Sequence, residues 1–320
     1  MKRTTLIRIS LLVLACLAVG SVFLRQPFWR SLLAAQRPVQ NKDNFDIRAN
    51  LQRTLNDPAD AEINVPLAAP DGNERAAVRR STLPYAVRRA HPSVQMKWSS
   101  LTQAPSRVWS YSELLSAPSG ADAEVIARRF LRNNEDLWRL AATDVAALQV
   151  ARRYQDSHNG VTHLTLQQQI NGIEVFNADL SVHLARTGEL IALSGEALPS
   201  IENLINAREP GMPAAKALRL AADEAGATLS GSLNLKAQPA GVEQKQVFDR
   251  GGSFSNDVEA RLVYFPLSAT QVRLAWEFTL WMKETPDVYL SLIDAEKGTL
   301  LYRYNYTCYD ENPLKPHGPV

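Results

Sequence analysis

The chain has 320 residues, of which 45% are hydrophobic and 21% charged, a composition typical of globular proteins rather than disordered ones. Its 35 basic and 33 acidic residues give a formal net charge of +2. So small a net charge provides no strong field for polyanions, and it argues against a nucleic-acid partner or a charge-driven membrane partner. The length leaves room for about two domains.

Residues 1–36 have the features of a targeting segment. The basic residues Lys2, Arg3 and Arg8 precede an uncharged apolar run at 9–24. That run is long for a signal peptide and short of the roughly 20 residues that cross a bilayer. We expect an exported protein, secreted or held at the cell envelope, with the segment either a cleaved signal peptide or an uncleaved signal anchor. Membrane contact is expected only through this segment, if it is uncleaved.

Residues 37–105 are rich in proline, asparagine, aspartate, alanine and arginine and show little apolar periodicity. This composition predicts an extended or disordered leader. The two cysteines are Cys16, inside the targeting segment, and Cys308. The exported chain is therefore expected to lack an internal disulfide and to depend on its core for stability.

The first helix is predicted within 119–134. Small and apolar residues recur there at helical spacing, Ser119 or Asp122 can cap the N-terminus, and arginines fill the last turns. A strand is predicted next, at 148–155.

Residues 160–195 predict three antiparallel strands. Apolar and polar residues alternate, and the runs are broken by Asn171-Gly172 and by a turn at 186–189. Asn171-Gly172 suits a two-residue type I′ turn, because both residues tolerate positive φ. The even positions of 178–184 are apolar, so the histidines and glutamines of this stretch are predicted to lie on the polar face of the strands.

A second helix is predicted after Pro213, with small and apolar residues on one face and Gly226 at its end. The stretch 230–257 is predicted to be loop. Four strands are predicted after it, the last two joined by a turn that contains Gly298. These strands are 259–267, 272–281, 288–294 and 299–307.

A helix followed by a strand meander thus occurs twice along the chain. We expect an α+β fold of two units, each with a helix packed on an antiparallel meander sheet, preceded by the disordered leader. The two halves share this plan without detectable sequence identity.

Catalytic sequence motifs are absent. None of the five histidines is followed by glutamate, so the His-Glu-x-x-His zinc motif does not occur. A metal site formed by His158, His163 and His183 is an alternative to a solvated polar face, and we expect the solvated face. The chain also lacks a P-loop, a GxGxxG turn and a GxSxG nucleophile turn. We expect no catalytic residue, no cofactor and no metal ligand on this chain.

Tyr302, Tyr304 and Tyr306 alternate along the last predicted strand and therefore share one face. We expect this tyrosine row to pack on the helix of its own unit. If the row is exposed, it is instead a candidate partner interface.

Residues 160–195 resemble the characteristic module of the fungalysin/thermolysin propeptide, which precedes many secreted zinc metallopeptidases. The resemblance is carried by the Gln-rich strand, the Asn-Gly-Ile-x-Val-Phe turn, and the Thr-Gly-Glu turn ahead of a strand that ends in Ser-Gly. Residues 91–98 and 121–134 are similar to the pro-regions of bacterial fungalysin-type enzymes. Residues 275–307 are similar to the PepSY-like second half of those regions, so the resemblance covers about 90–310.

The resemblance implies a pro-region that helps its protease to fold and blocks the active cleft until it is removed. Its partner would be a zinc metallopeptidase catalytic domain, in cis or in trans. The implied fold of each unit is cystatin-like or PepSY-like, and no catalytic residue is implied for this chain. The residues expected to shape its turns are Asn171, Gly172, Gly188, Gly195 and Gly298.

The expected organisation is a targeting segment at 1–36, a leader at 37–105, a propeptide domain at 106–198, a PepSY-like domain at 199–310 and a truncated linker at 311–320. Two other interpretations stay open. The chain is either the N-terminal fragment of a complete metalloendopeptidase or an envelope-anchored PepSY-like binding protein that never meets a protease.

Overall fold

A computed structural model of the chain describes residues 42–49, 51, 93–229 and 231–308. The predicted targeting segment at 1–36 and the predicted linker at 311–320 lie outside these ranges. The described part is α+β, with a few helices and thirteen strands in one mixed sheet. No helix within it is both long enough and apolar enough to cross a membrane.

The elements before residue 198 form the first half of the fold. They are β1 (Phe45–Asp46), β2 (Val94–Trp98), β3 (Pro105–Ser110), α1 (Ala123–Asn133), α2 (Glu135–Trp138), α3 (Ala142–Ala147), β4 (Gln149–Gln155), β5 (Thr162–Ile170), β6 (Ile173–Leu184) and β7 (Leu190–Gly195).

The elements after residue 198 form the second half. They are a 3₁₀ turn (Ile201–Asn203), α4 (Ala214–Ala225), β8 (Leu235–Ala240), β9 (Lys245–Phe248), β10 (Val258–Ser268), β11 (Gln271–Trp281), β12 (Val288–Asp294) and β13 (Leu300–Asn305).

The helix α1 confirms the start and stripe predicted from the sequence. The Asp122 side chain caps its first turn by accepting a hydrogen bond from the Glu124 backbone N–H at 2.9 Å. The inner face packs on the apolar side of β5 and β6 and forms the core of the first half. The members of α1 that lie in this core are Ala123, Ile126, Ala127 and Leu131.

The helix α4 also confirms its prediction. Pro213 directly precedes it, and Gly226 ends it with φ 84°. Its buried face of alanines and Leu218 packs on β10, β11 and β12, where Trp276 is the largest core side chain. The indole N–H of Trp276 donates to the Met212 carbonyl at 2.9 Å, which satisfies a buried donor.

The sheet runs in the order β1-β13-β12-β11-β10-β6-β7-β3-β2, with β4 added beyond β5 and β8 beyond β9. The long strand β6 connects the two halves. It pairs with β5 along one edge, and on the other edge it pairs with β7 and, in parallel, with β10. The parallel contact joins Val175 to Tyr264.

The tip of the β5–β6 hairpin packs in the core of the second half rather than that of the first. Contacts place Asp43–Val320 in one unit, so the division into separable units at 106–198 and 199–310 stays a prediction. The hairpin residues in the second core are Ile170, Ile173, Val175 and Ala178.

One prediction about an irregular segment is wrong. The stretch 230–257, predicted to be loop, contains β8 and β9, whose backbones pair with each other and with β10. In the leader 37–105, predicted to be extended or disordered, the described residues include β1, β2 and the start of β3, whereas 52–92 lie outside the described ranges. Hydrogen bonds between the backbones of paired strands stabilise these segments. Amino-acid composition alone does not reveal which segments form such pairs.

Candidate partner interface

The turn residues predicted from the sequence lie at the ends of strands. Asn171 and Gly172 connect β5 to β6 with φ 51° and 84°. Gly188 lies between β6 and β7, Gly195 is the last residue of β7, and Gly298 lies between β12 and β13. All five have positive φ.

Close backbone contacts explain two of these glycines. A Cβ at Gly188 would lie 1.9 Å from the Ser119 carbonyl oxygen, and one at Gly195 would lie 1.9 Å from that of Asp179. Either would clash with rigid backbone, in addition to the strain of positive φ. These positions therefore shape the fold and offer no group for chemistry.

The glutamine side chains of β5 form hydrogen bonds with backbone groups. Gln168 was predicted to lie on a polar face, but it is buried. Its side-chain amide accepts a hydrogen bond from the Leu198 N–H at 2.9 Å and donates one to the Leu198 carbonyl at 2.6 Å. Gln168 continues the alternation of Leu164 and Leu166 along β5 and therefore lies on the buried face of that strand. The Gln167 amide donates to the carbonyl of Val175 at 2.8 Å.

The histidines form a pair rather than a trio. His163 and His183 are direct partners on β5 and β6, with their Nδ1 atoms 2.8 Å apart. Tyr154 of β4 stacks on His163 at 4.6 Å between ring centroids. Burial lowers the pKa of His183, and the nearby charges of His163 and Arg107 lower it further.

His158 lies apart from this pair, exposed on the turn between β4 and β5. Within residues 42–49, 51, 93–229 and 231–308, no group of three or more histidine, cysteine, aspartate or glutamate side chains is placed to hold a metal ion.

The tyrosine row lies on the face of the sheet that points away from α4, so its predicted packing on a helix is wrong. Arg303, between the tyrosines, points to the other face and donates to the Glu224 carbonyl at the end of α4. Tyr302 is half-buried, whereas Tyr304 is 41% and Tyr306 55% exposed.

The buried end of the row is held by aromatic contacts. Tyr302 packs against Phe176 of β6 at 5.0 Å between ring centroids, and Phe176 stacks on Phe265 of β10 at 5.8 Å. The Arg48 guanidinium lies over Phe265 at 4.8 Å. Along the row the rings touch in sequence, with centroids 6.4 Å and then 5.5 Å apart.

A cleft of about 330 Å³ begins at Tyr306, the exposed end of the row. The strands β5 and β6 contribute one side of the cleft, and β10, β11 and β12 contribute the other. Its charged lining residues are Glu174, Asp179, Arg261 and Glu277.

An ion network crosses the cleft. Arg261 bonds Glu174 of β6 and Glu277 of β11, each at 2.7 Å. Burial disfavours the charged form of Arg261. The carboxylates of Glu277 and Glu174 have the larger, opposite effect, so the pKa of Arg261 is raised. Burial raises the pKa of Glu277 as well, although Arg261 counteracts part of that rise.

Asp179 lines the cleft outside this network. Its carboxyl is half-buried, and burial raises its pKa. Among the described residues, no side chain bonds or pairs with it. The alternation of 178–184 puts Asp179 on the polar side of its strand, but the sequence gives no sign of the cleft, because the lining residues are spread from Gln167 to Tyr306.

Residues 146–197 match the family model described as the Fungalysin/Thermolysin Propeptide Motif. The matched segment starts in α3 and covers β4 to β7. It therefore includes the histidine pair, the buried glutamine and the β6 side of the cleft.

Three curated relatives are proteases. The thermostable neutral protease NprT of Geobacillus stearothermophilus is 28% identical over 152 residues, which are 47% of this chain and 24% of that protein. The extracellular metalloproteinase MEP of Leptosphaeria maculans is 24% identical over 155 residues, 45% of this chain and 22% of that protein. Bacillolysin of Brevibacillus brevis is 21% identical over 190 residues, 59% of this chain and 32% of that protein. The chain thus spans less than a third of the length of each relative.

Among solved structures, the Bacillus megaterium YpeB C-terminal domain aligns with 72% of this chain and 96% of that chain, at 13% identity and a TM-score of 0.30. That score is too low to argue from. The sequence comparisons carry the assignment: residues 146–197 are a Fungalysin/Thermolysin Propeptide Motif, and about half of the chain is related to metalloproteases of the thermolysin and fungalysin type.

Proposed function

We propose that this chain is the pro-region of a thermolysin- or fungalysin-type metallopeptidase. In this role it binds the zinc-containing catalytic domain, assists its folding and keeps it inactive, either in cis or in trans. The observation that carries the proposal is the propeptide motif at 146–197, supported by the match to three proteases.

In this proposal the chain acts by binding its protease. The surface we assign to it is the exposed part of the tyrosine row together with the cleft at its end. Aromatic side chains that are partly exposed and already held in place favour protein interfaces, because they contribute contact area at little entropic cost. Tyr304 and Tyr306 meet this description, since each contacts a neighbouring ring of the row.

We further propose an organisation and a location for the chain. The propeptide domain covers 106–198 and a PepSY-like domain covers 199–310, although the hairpin tip of the first domain lies in the core of the second. We propose export, on the basis of the targeting pattern at 1–36 and of a relative whose name describes it as extracellular.

The length of the relatives favours a second candidate, in which the chain is the front part of a longer protease and acts only in cis. The aligned segments are 22–32% of those proteins. The coding sequence downstream of Val320 distinguishes the two, because a His-Glu-x-x-His motif in frame would indicate action in cis.

A protease assay tests the proposed function. The purified chain is added to the catalytic parts of the three relatives, and hydrolysis of a fluorogenic peptide is followed with increasing chain concentration. We expect saturable inhibition of at least one protease, and a higher yield of active enzyme when that protease is refolded from denaturant with the chain present.

A double variant, Tyr304→Ala with Tyr306→Ala, is expected to weaken inhibition about tenfold or more, since truncated aromatic contacts at interfaces cost about 2 kcal/mol. Val242→Ala is the matched control, because Val242 is another exposed apolar side chain and lies outside the cleft. A chain that neither inhibits nor assists refolding of any of the three proteases would contradict the proposal.

A further inference from the structure

The cleft beside Tyr306 contains one carboxylate, that of Asp179, whose only hydrogen bond among the described residues comes from its own backbone N–H. Asp179 is half-buried, and no hydrogen bond or ion pair from another described side chain reaches it. Burying a carboxylate with no charged side chain beside it is costly, because one backbone hydrogen bond replaces only part of the hydration that the charged form loses. The raised pKa of Asp179 reflects this cost.

The other charges of the cleft are already paired. Arg261 is shared by Glu174 and Glu277 at 2.7 Å each, and Glu243 lies 3.9 Å away. This single guanidinium is thus surrounded by carboxylates, and it is not available to neutralise Asp179. The lining of the cleft carries three carboxyls and one cationic group, an excess of acidic groups that favours a positively charged occupant.

The rim of the cleft adds aromatic surface. Tyr306 is both a lining residue and 55% exposed. Trp281, 45% exposed, pairs with Val288, and the Tyr306 backbone N–H donates to the Val288 carbonyl at 2.8 Å. Trp281 and Tyr306 therefore flank one residue of β12 at the end of the sheet. A volume of about 330 Å³ lies at the lower end of the roughly 300–1,000 Å³ of ligand pockets, and suits one long side chain.

We propose that this cleft binds the side chain of an arginine on the partner polypeptide, with the guanidinium on the Asp179 carboxylate and its stem against Tyr306. Arginine fits because its planar guanidinium bonds a carboxylate through two N–H groups and also stacks on aromatic rings. The inference rests on the proposed function, in which the partner is the protease.

A calcium ion fits the cleft less well. Calcium takes about six to eight oxygen ligands, whereas two of the three carboxyls in the cleft are bonded to Arg261. Asp179 would then be the only carboxylate of the cleft left to hold the ion. An arginine needs only that one carboxylate.

Peptide binding tests the cleft independently of any protease. The full chain, labelled with ¹⁵N, is titrated with acetyl-Gly-Arg-Gly-amide, with acetyl-Gly-Gln-Gly-amide and with calcium chloride. We expect the arginine peptide alone to shift the resonances of 174–179, 277–279 and Tyr306, with an affinity in the millimolar range. Equal shifts with the glutamine peptide, shifts with calcium instead, or shifts elsewhere would overturn the proposal.

Matched variants sharpen the test. Asp179→Asn keeps the size of the side chain and is expected to weaken binding of the arginine peptide about tenfold, the value of one charge-assisted hydrogen bond. Asp223→Asn is the control, since Asp223 is exposed on α4, on the opposite face of the sheet. An Asp179→Asn chain with an unchanged thermal unfolding curve and unchanged peptide affinity would contradict the proposal.

The protease assay separates this inference from the proposed function. If the wild-type chain inhibits a protease and Asp179→Asn inhibits it equally well, the proposed function stands and the arginine site fails. If the chain binds the arginine peptide but inhibits no protease, the site stands as a chemical feature and the proposed partner is wrong. Weaker inhibition by Asp179→Asn, with Asp223→Asn unchanged, supports both.

Discussion

Two imidazoles on neighbouring strands of the first half lie in direct contact. With Nδ1 atoms 2.8 Å apart, His163 and His183 share one proton, since two protonated nitrogens at this distance would repel each other. Arg107 from β3 adds a positive charge nearby, and Tyr154 from β4 covers His163. Burial and these neighbouring charges favour the neutral form of His183.

This arrangement predicts a loss of stability in acid. Unfolded histidine binds its proton near pH 6.5, whereas burial and then the charges of His163 and Arg107 keep folded His183 neutral to lower pH. As pH falls below about 6.5, the unfolded chain takes up a proton that the folded chain does not, so the free energy of unfolding decreases. The decrease continues until folded His183 also titrates.

Urea unfolding at pH 7.5 and pH 5.5 measures this effect. We expect the difference between the two pH values to shrink in His183→Gln. His158→Gln should retain the wild-type difference, because His158 is exposed on a turn. The same pH dependence in wild type and His183→Gln would show that the loss arises from other groups.

At the scale of single residues, sequence patterns locate turns better than they locate a site. Asn171 and Gly172 are recognisable because few residue types tolerate positive φ. Asp179 has no such signal. Its importance comes from neighbours that are distant along the chain, such as Glu277 and Tyr306, and one sequence contains no information about which distant strands meet.

Among the elements, strand β6 pairs with three different strands, β5, β7 and β10. Asn177 has φ 53° in the middle of the strand, opposite the register shift of β5 at Gln168. The irregularity separates the part of β6 that pairs with β10 from the part that pairs with β7. The carbonyl of Asp179, just after this point, accepts a hydrogen bond from Glu196 at 3.0 Å.

Gly195→Ala tests how closely β7 must approach β6. The added Cβ would lie 1.9 Å from the Asp179 carbonyl, and φ at Gly195 is 112°. We expect a loss of about 3 kcal/mol in the free energy of unfolding, measured by urea denaturation. Gly120→Ala, with no atom within 4 Å of its new Cβ, should change it by less than about 0.5 kcal/mol. Equal effects would mean that the backbone moves freely at Gly195.

Many of the elements that the sequence predicts correctly have one buried face, although β4, predicted at 148–155, is exposed along its length. Strand β6 and helices α1 and α4 bury every second residue or one helical stripe, so burial is visible as periodicity. Strand β8 exposes nearly all its residues and shows no such pattern. In β2 the alternation of Val94, Met96 and Trp98 was available as a signal, but the surrounding composition of the leader obscured it.

At the scale of the whole molecule, the two cores are linked through one hairpin. The strands β5 and β6 begin and end in the core of the first half, yet their connecting tip lies in the core that α4 covers. Unfolding of the second half would therefore expose apolar surface of the first. We expect the halves to unfold together.

Ile173→Ala tests this coupling. Ile173 lies in the first half but is 5% exposed in the second core. Its truncation is expected to lower the free energy of unfolding by about 3 kcal/mol. It is also expected to lower amide hydrogen-exchange protection in β10, β11 and β12. Leu164→Ala, in the first core, is the comparison. If the halves unfold together, Leu164→Ala also lowers protection in β10–β12, and unchanged protection there would indicate two independent halves.

The shared hairpin also constrains how such a protein can diversify through recombination. A crossover that exchanged only 146–197, the span of the family motif, would bring in a hairpin tip shaped for a different α4. Its four apolar side chains would then meet a surface with which they had not been selected to pack. Descendants that keep both halves from one parent avoid this mismatch, so the two halves are expected to be inherited as a matched pair.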